Sequence, residues 1–221
     1  MSEIFKFARE STDSQSPGMP VRIMAGVVVI ICAFIWLPLG LLCLLGLVWL
    51  VYVTRYPQDA NPPGVEEKDI LAPMDGLVTL VDINSDKKRI RILQQIHTNK
   101  LILMPCSGKI EINMFVDGLF LPSKISNAFS LNARREITIN QDANLLSSNV
   151  ESDVSLILWG SPFARYLGSP VLEGRKLKAG IPIAISLLHG EIDLLLPLDY
   201  ELQVTLGEFC IAGKTLLAKA C

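Results

Sequence analysis

The sequence predicts a mainly β body preceded by an apolar helical hairpin. Three observations carry this. From Val21 to Val53 the only charge is Arg22, and most positions are Val, Ile, Leu, Ala, Gly, Phe or Trp. After Val65, short runs of β-favouring residues recur, several alternating apolar and polar residues as half-buried strands do. Turn residues separate those runs at short intervals, and helix signals between them are weak.

The order of elements follows. Residues 1–20 form a polar leading segment on the cytoplasmic side. Residues 21–53 form the hairpin. At ~1.5 Å per residue, that run as one helix would extend about 50 Å, against a bilayer core of ~30 Å. Pro38 and Gly40 lie near its middle, and proline interrupts the helical hydrogen-bond ladder. Two helices are therefore expected, about Val21–Leu37 and Leu39–Val53, dipping into a membrane and returning. Arg22 and Arg55 would close the two ends on one side. Basic flanks favour the cytoplasm, so the expected location is the inner membrane with the body on the cytoplasmic side. Trp36 and Trp49 are candidate interface anchors. A cleaved signal peptide fits less well, because the run is long and "VTRYPQDANPPG" offers no clear cleavage site.

Residues 54–64, proline-rich and polar, read as a linker. The body, 65–221, is expected to be a barrel or sandwich. Its strands are expected at 77–83, 89–96, 100–104, 109–115, 136–140, 154–160, 191–197 and 201–206. The best helix candidate is "PFARYLG", 162–168, with Pro162 near its start.

Composition removes several functions. The net charge is −2, which gives no basic face for nucleic acid. The five cysteines, Cys32, Cys43, Cys106, Cys210 and Cys221, show no CxxC pair and no Cys/His spacing, so no zinc or other metal site is expected. They read as small buried hydrophobes.

Two internal echoes narrow the fold. "APMDGLV" (72–78) and "MPCSGKI" (104–110) share Pro-x-x-Gly-x-apolar, 32 residues apart. "LEGRKLKAGIPIAI" (172–185) and "TLGEFCIAGKTLLA" (205–218) share Gly-x5-Gly, with Gly174/Gly180 and Gly207/Gly213 offset by 33. Glycine permits the φ > 0 turns at which a strand doubles back. Such hairpins resemble those of biotinyl/lipoyl-like barrel-sandwich domains. The swinging-lysine hairpin of a biotin or lipoyl carrier is missing.

Taken in order along the chain, these motifs resemble the short bacterial form of the phosphatidylserine decarboxylase family. "VTRYP" (53–57) keeps Arg55 and Pro57 of the family's Phe-Phe-Arg-Asp-Pro. "ILAPMDGLV" (70–78) is similar to its Pro-x-Asp-Gly motif. "MPCSGKI" is similar to the segment after the family's histidine. "VDGLFLPSKISNAFSLNARRE" (116–136) resembles a stretch ending Asn-Glu-Arg, with Asn132 and Arg134 present and Ala133 in place of Glu. "WGSPFARYL" (159–167) and the two Gly-x5-Gly segments resemble the closing motifs.

The resemblance implies a chemistry. Family precursors cut themselves at a Gly-Ser bond, and the serine becomes an N-terminal pyruvoyl group, with an Asp and a His assisting. The pyruvoyl carbonyl then forms a Schiff base with the amine of phosphatidylserine and draws off electrons while CO2 leaves. The product is phosphatidylethanolamine.

Carried onto this sequence, the Asp is Asp75. The His position, five residues before Pro105, is Lys100. His97 is three residues out of register, and an odd shift on a strand turns a side chain to the opposite face. The Gly-Ser position, set by Asp193 and Pro197, is His189-Gly190. Glycine has no side chain with which to attack or to become a pyruvoyl group. Gly160-Ser161 and Gly168-Ser169 fall in other motifs and precede prolines, Ser107 precedes its glycine, and Ser186 follows Ile185.

Each position has a plain structural reading. Asp75 suits a turn-capping carboxylate. Lys100 reads as a solvated strand-end lysine, or as a Schiff-base lysine if buried with a depressed pKa. His97 reads as a surface or packing histidine. His189 is a relic turn or a new general base. Lys87, Lys88, Arg89 and Arg91 read as a solvated hairpin tip, or as a contact for anionic lipid headgroups. The expected protein is a membrane-anchored, lipid-binding relative of the decarboxylases without self-cleavage or pyruvoyl group. Its expected partners are membrane phospholipids, with a second copy or a membrane protein as further candidates. An active decarboxylase using a displaced serine and a membrane-tethered adaptor are the alternatives.

Overall fold

The computed structural model describes residues 19–35, 37–54, 68–84, 86–95, 97–125, 127–141, 153–162, 165, 167–169, 171–186 and 190–220. The chain divides into two compact units, residues 1–58 and 59–221.

The first unit contains α1 (Met19–Ile35) and α2 (Leu37–Val53). The break falls two residues earlier than expected, and Pro38 sits in the first turn of α2 rather than between the helices. That position tolerates proline, because the first N–H groups of a helix have no intrahelical acceptor. The helices pack against each other. A Cβ on Gly40 would lie 2.6 Å from the Cα of Ala33, so only small residues allow this approach. At the opposite end, Arg22 Nε donates to Thr54 Oγ1 (2.7 Å), and its Nη2 donates to the Thr54 carbonyl. Thr54 thus ties the two ends together. Arg55, Trp36, residues 1–18 and nearly all of the 54–64 linker lie outside the described residues. No helix among the described residues is long and apolar enough to cross a membrane.

The second unit is mainly β. Its strands are β1 (Ile70–Leu71), β2 (Gly76–Ile83), β3 (Lys88–Leu93), β4 (Leu101–Leu103), β5 (Gly108–Val116), β6 (Arg134–Asn140), β7 (Val154–Trp159), β8 (Lys176–Leu177), β9 (Pro182–Ile185), β10 (Glu191–Leu196), β11 (Tyr200–Leu202), β12 (Phe209–Cys210) and β13 (Leu216–Ala220). One short helix, α3 (Ala128–Leu131), precedes β6. The sheets have the orders β12-β2-β3-β10-β7-β6-β5-β8, β1-β13-β11 and β4-β9. All their strand pairs are antiparallel.

The period-two reading holds where strands are long. In β7, Val154, Leu156 and Leu158 are buried while their neighbours are half-buried. Ile90 and Ile92 of β3, Ile137 and Ile139 of β6, and Ile192 and Leu194 of β10 meet them in one core. Two expectations are corrected. The strand expected over 201–206 stops at Leu202, because Thr205 N–H turns back to Glu208 Oε2 (3.1 Å). Of the helix expected over 162–168, only Pro162, Arg165, Leu167 and Gly168 are described, and none is helical; Gly168 instead bridges to Ile185.

The sequence echoes are one structural repeat. Gly174, Gly180, Gly207 and Gly213 have φ of 83°, 82°, 85° and 68°. Gly207 N–H donates to Val78 O, as Gly174 N–H does to Ile110 O. Gly213 N–H donates to Ala72 O, as Gly180 N–H does to Met104 O. The strand pair β12–β2 (Cys210 opposite Gly76) repeats as β8–β5 (Leu177 opposite Gly108). Where the halves meet, Leu71 N–H donates to Pro105 O (2.8 Å) and Leu103 N–H to Pro73 O (2.7 Å). That reciprocal exchange is what an internal two-fold relation produces.

Candidate functional site

The site lies where β3 and β4 meet the ends of β9 and β10. Gln94 extends the β3–β10 ladder by one residue, its N–H donating to Gly190 O (2.9 Å). Lys100 extends the β4–β9 ladder: Leu101 faces Ile185, and Ser186 N–H donates to Lys100 O (3.0 Å). Lys100 and Ser186 are therefore opposite each other across the pair, with their side chains on one face.

The turn between β3 and β4 is bound tightly. The Gln95 carbonyl accepts from Thr98 Oγ1 (2.9 Å) and from Lys100 Nζ (2.5 Å). Gln94 Nε2 donates to Asn99 O (3.0 Å). Asp75 Oδ2 accepts from Asn99 N–H (3.3 Å), and Asp75 Oδ1 accepts from Ala212 N–H (2.7 Å). The Asp75 carboxylate thus joins the Pro-x-Asp-Gly turn to the closing Gly-x5-Gly turn through distant N–H groups, rather than capping its own turn as its sequence context suggested.

Lys100 is not a solvated strand-end lysine. Its side chain is fully buried, so that reading is corrected. The ladder to Ser186 and the folded-back turn cover it on both sides. Burial lowers its amine from the ordinary lysine range to about 8, while the Asp75 carboxylate pulls the other way.

Gly190 is buried. A Cβ built on it would lie 2.3 Å from Ser186 Oγ and 3.6 Å from Gln94 Oε1. Ser186 is 2% exposed and Gln94 0%. Among the described residues neither Ser186 Oγ nor Gln94 Oε1 has a hydrogen-bond partner. Asp75, Lys100 and Gly190, far apart in sequence, thus belong to one polar cluster. His189 lies outside the described residues. His97 is an exposed turn residue.

Ser186 and Gln94 are site residues that sequence reasoning missed. The signal was the pairing of 101–103 with 182–185, which places Ser186 opposite Lys100. A second missed pair is Arg91 and Asp193, opposite each other on β3 and β10. Arg91 Nε and Nη2 donate to the two Asp193 oxygens (2.5 and 2.7 Å), and Asp193 is 1% exposed. The Arg91 guanidinium also lies 3.7 Å from the Phe129 ring centroid. Lys88 Nζ donates to the Tyr200 carbonyl. The basic cluster is therefore no solvated tip as a whole: Arg91 is drawn into the sheet by Asp193. Cys106 and Cys210 are buried, as small hydrophobes are, and Cys32 and Cys43 are half-buried. No group of His, Cys, Asp and Glu among the described residues is arranged to hold a metal ion.

The second unit is thus a mainly β body with a doubled hairpin motif, in which Asp75 is half-buried and Lys100 and Gly190 are buried. The chain is similar over most of its length to curated phosphatidylserine decarboxylase proenzymes. It is 27% identical over 190 residues to the proenzyme of Ehrlichia chaffeensis, covering 81% of this chain and 79% of that protein. It is 25% and 24% identical over 211 residues to those of two Ehrlichia ruminantium strains, Welgevonden and Gardel, covering 87% of this chain and 88% of each. No protein-family model matches the chain, and no solved structure matches it.

Proposed function

We propose that this chain is a phosphatidylserine-decarboxylase-related protein of phospholipid metabolism that stays uncleaved and binds phospholipid. The observation that carries the reading is Gly190. A pyruvoyl group is made from a serine, and Gly190 has no hydroxyl to supply it. The space its Cβ would need is occupied by Ser186 Oγ, 2.3 Å away. The residues present therefore do not fit the prosthetic group of the relatives, and no step through it follows. Ser186 is a poor substitute cleavage point. Its N–H is held by Lys100 O in the β4–β9 ladder, so cutting before it would open that ladder.

The doubled Gly-x5-Gly hairpin and the reciprocal Leu71–Pro105 and Leu103–Pro73 bonds support a barrel-sandwich body. The hairpin supports membrane attachment. Ile23, Met24, Ile30, Leu41, Leu42 and Leu45 are all more than half exposed on it, an apolar surface suited to hydrocarbon. Each helix has 17 residues, or about 25 Å, less than the ~30 Å bilayer core. Both helices then enter from one face and return to it, with Arg22 and Thr54 at the headgroups. The basic residues Arg22 and Arg55 that flank the hairpin in the sequence support a location of that face at the cytoplasmic side of the inner membrane.

The test is incubation of the full chain with vesicles containing phosphatidylserine, followed by flotation and lipid analysis. Vesicle binding without phosphatidylethanolamine formation is expected. Phosphatidylethanolamine accumulating above a protein-free blank, or no binding to vesicles of any headgroup, would overturn the proposal.

A further inference from the structure

We infer that Cys32 and Cys43 are a redox pair that a membrane quinone closes into a disulfide, locking the two helices of the hairpin together. This deepens the proposal above and rests on its membrane attachment.

The fold brings the two thiols together. Cys32 stands in the last turn of α1 and Cys43 in the second turn of α2. The Cys43 thiol is hydrogen-bonded to the Cys32 thiol across the helix interface. The backbones are close at this level. Gly40, one turn before Cys43 on the same face of α2, packs on Ala33, the residue after Cys32. A Cβ on Gly40 would lie 2.6 Å from Ala33 Cα. A disulfide needs its two Cα atoms within about 7 Å, and a glycine–alanine contact permits such an approach. Both cysteines are free thiols.

Position in the hairpin sets which reagents meet them. Cys32 lies about 20 Å along α1 from Met19, toward the tip and away from the Arg22–Thr54 end. Both thiols are half-buried, whereas Cys106 and Cys210 are enclosed in the body. Ile31 beside Cys32, and Leu42 and Leu44 beside Cys43, are exposed on the outside of the hairpin. A reagent dissolved in hydrocarbon therefore reaches the pair. Glutathione, which is charged, is excluded from that depth by the cost of desolvation. The usual reason for cytoplasmic thiols to stay reduced is thereby removed.

The step balances. Both S–H bonds break and one S–S bond forms. The quinone takes the two electrons and two protons and becomes the hydroquinone. The reduced tip is held by packing such as Gly40 on Ala33. The oxidised tip is held covalently, as Arg22 and Thr54 hold the other end by hydrogen bonds. Oxidation thus prevents the helices from splaying.

The experiment uses the full chain in vesicles of phosphatidylcholine and phosphatidylserine, recovered by flotation and treated with decylubiquinone. Maleimide counting after unfolding, intact mass and peptide mapping are the readouts. The five cysteines take five maleimides before treatment and are expected to take three after it, the other two being mapped as a Cys32–Cys43 crosslink within one chain. Oxidised glutathione, confined to water, is expected to form that crosslink more slowly than the quinone. Cys32→Ser is expected to keep its four maleimides through the treatment. Gly40→Leu, which forces the backbones apart, is expected to lose most of the crosslink while the chain still floats. Five maleimides after quinone treatment, a disulfide from either cysteine to another cysteine or to a second chain, equal rates with oxidised glutathione, or an unchanged crosslink in Gly40→Leu would overturn the inference. A chain that does not float overturns the membrane reading, whereas a floating chain that keeps all its thiols overturns the redox pair alone.

Discussion

Adding a side chain at Gly190 tests how the site is packed. In Gly190→Ala the new Cβ lies 2.3 Å from Ser186 Oγ and 3.2 Å from Ser186 Cβ. Something must move. Backbone is not what it meets, so Ser186 can rotate to another staggered rotamer. Overpacking in a filled core costs about 1–3 kcal/mol, and a movable hydroxyl places this case near 1–2. Ser186→Ala alone removes a buried hydroxyl with no partner among the described residues, so it is expected to be neutral or slightly stabilising. In the double variant the 3.2 Å contact to the Cβ of residue 186 and the ordinary 3.6 Å contact to Gln94 Oε1 remain, and the alanine at 190 is expected to cost about 1 kcal/mol less than in the parent. Thermal unfolding is the assay, at roughly 2–4 °C per kcal/mol for a chain of this size. A Gly190→Ala cost that is the same with and without the Ser186 hydroxyl would refute the packing argument.

Four further outcomes are expected. The folded state holds the Lys100 proton only up to about pH 8, against about 10.5 when unfolded; the unfolded state therefore binds more protons between those values, and stability rises with pH there. Lys100→Met is expected to flatten that part of a pH–stability curve measured by urea titration. Asp193→Ala leaves the Arg91 guanidinium, 14% exposed, without its partner and is expected to cost about 3–5 kcal/mol; replacing both partners with apolar residues is expected to cost less, as denaturant midpoints would show. Gly174→Ala and Gly207→Ala meet no atom within 4 Å, so only their positive φ is penalised; each is expected to lose about 1–2 kcal/mol, nearly equally, in the same unfolding assay.

How legible the molecule was depends on the kind of signal. The Gly-x5-Gly echoes were read correctly because φ > 0 is a local demand that glycine meets cheaply. Strands such as β7 showed their alternation because one face is buried along their whole length. The two-residue strands β1, β8 and β12 are too short for any periodicity, and only their hydrogen-bonded partners define them. Lys100 was misread for a related reason. A lysine at a strand end is solvated unless tertiary pairing covers it, and the β4–β9 pairing joins segments about 80 residues apart. Arg91 and Asp193 were likewise read separately, one as a surface charge and the other as a motif anchor. Their pairing exists only in the register of β3 against β10. The family resemblance located Asp75, Lys100 and Gly190 as positions. The fold was needed to show Ser186 and Gln94 beside them.

The proposal that this chain stays uncleaved rests on Gly190, which has no hydroxyl with which to attack the preceding carbonyl. The most direct measurement is the intact mass of the purified full chain. One polypeptide of 24.3 kDa with an unmodified backbone is expected. Two fragments, the smaller beginning with a pyruvoyl group, would contradict it.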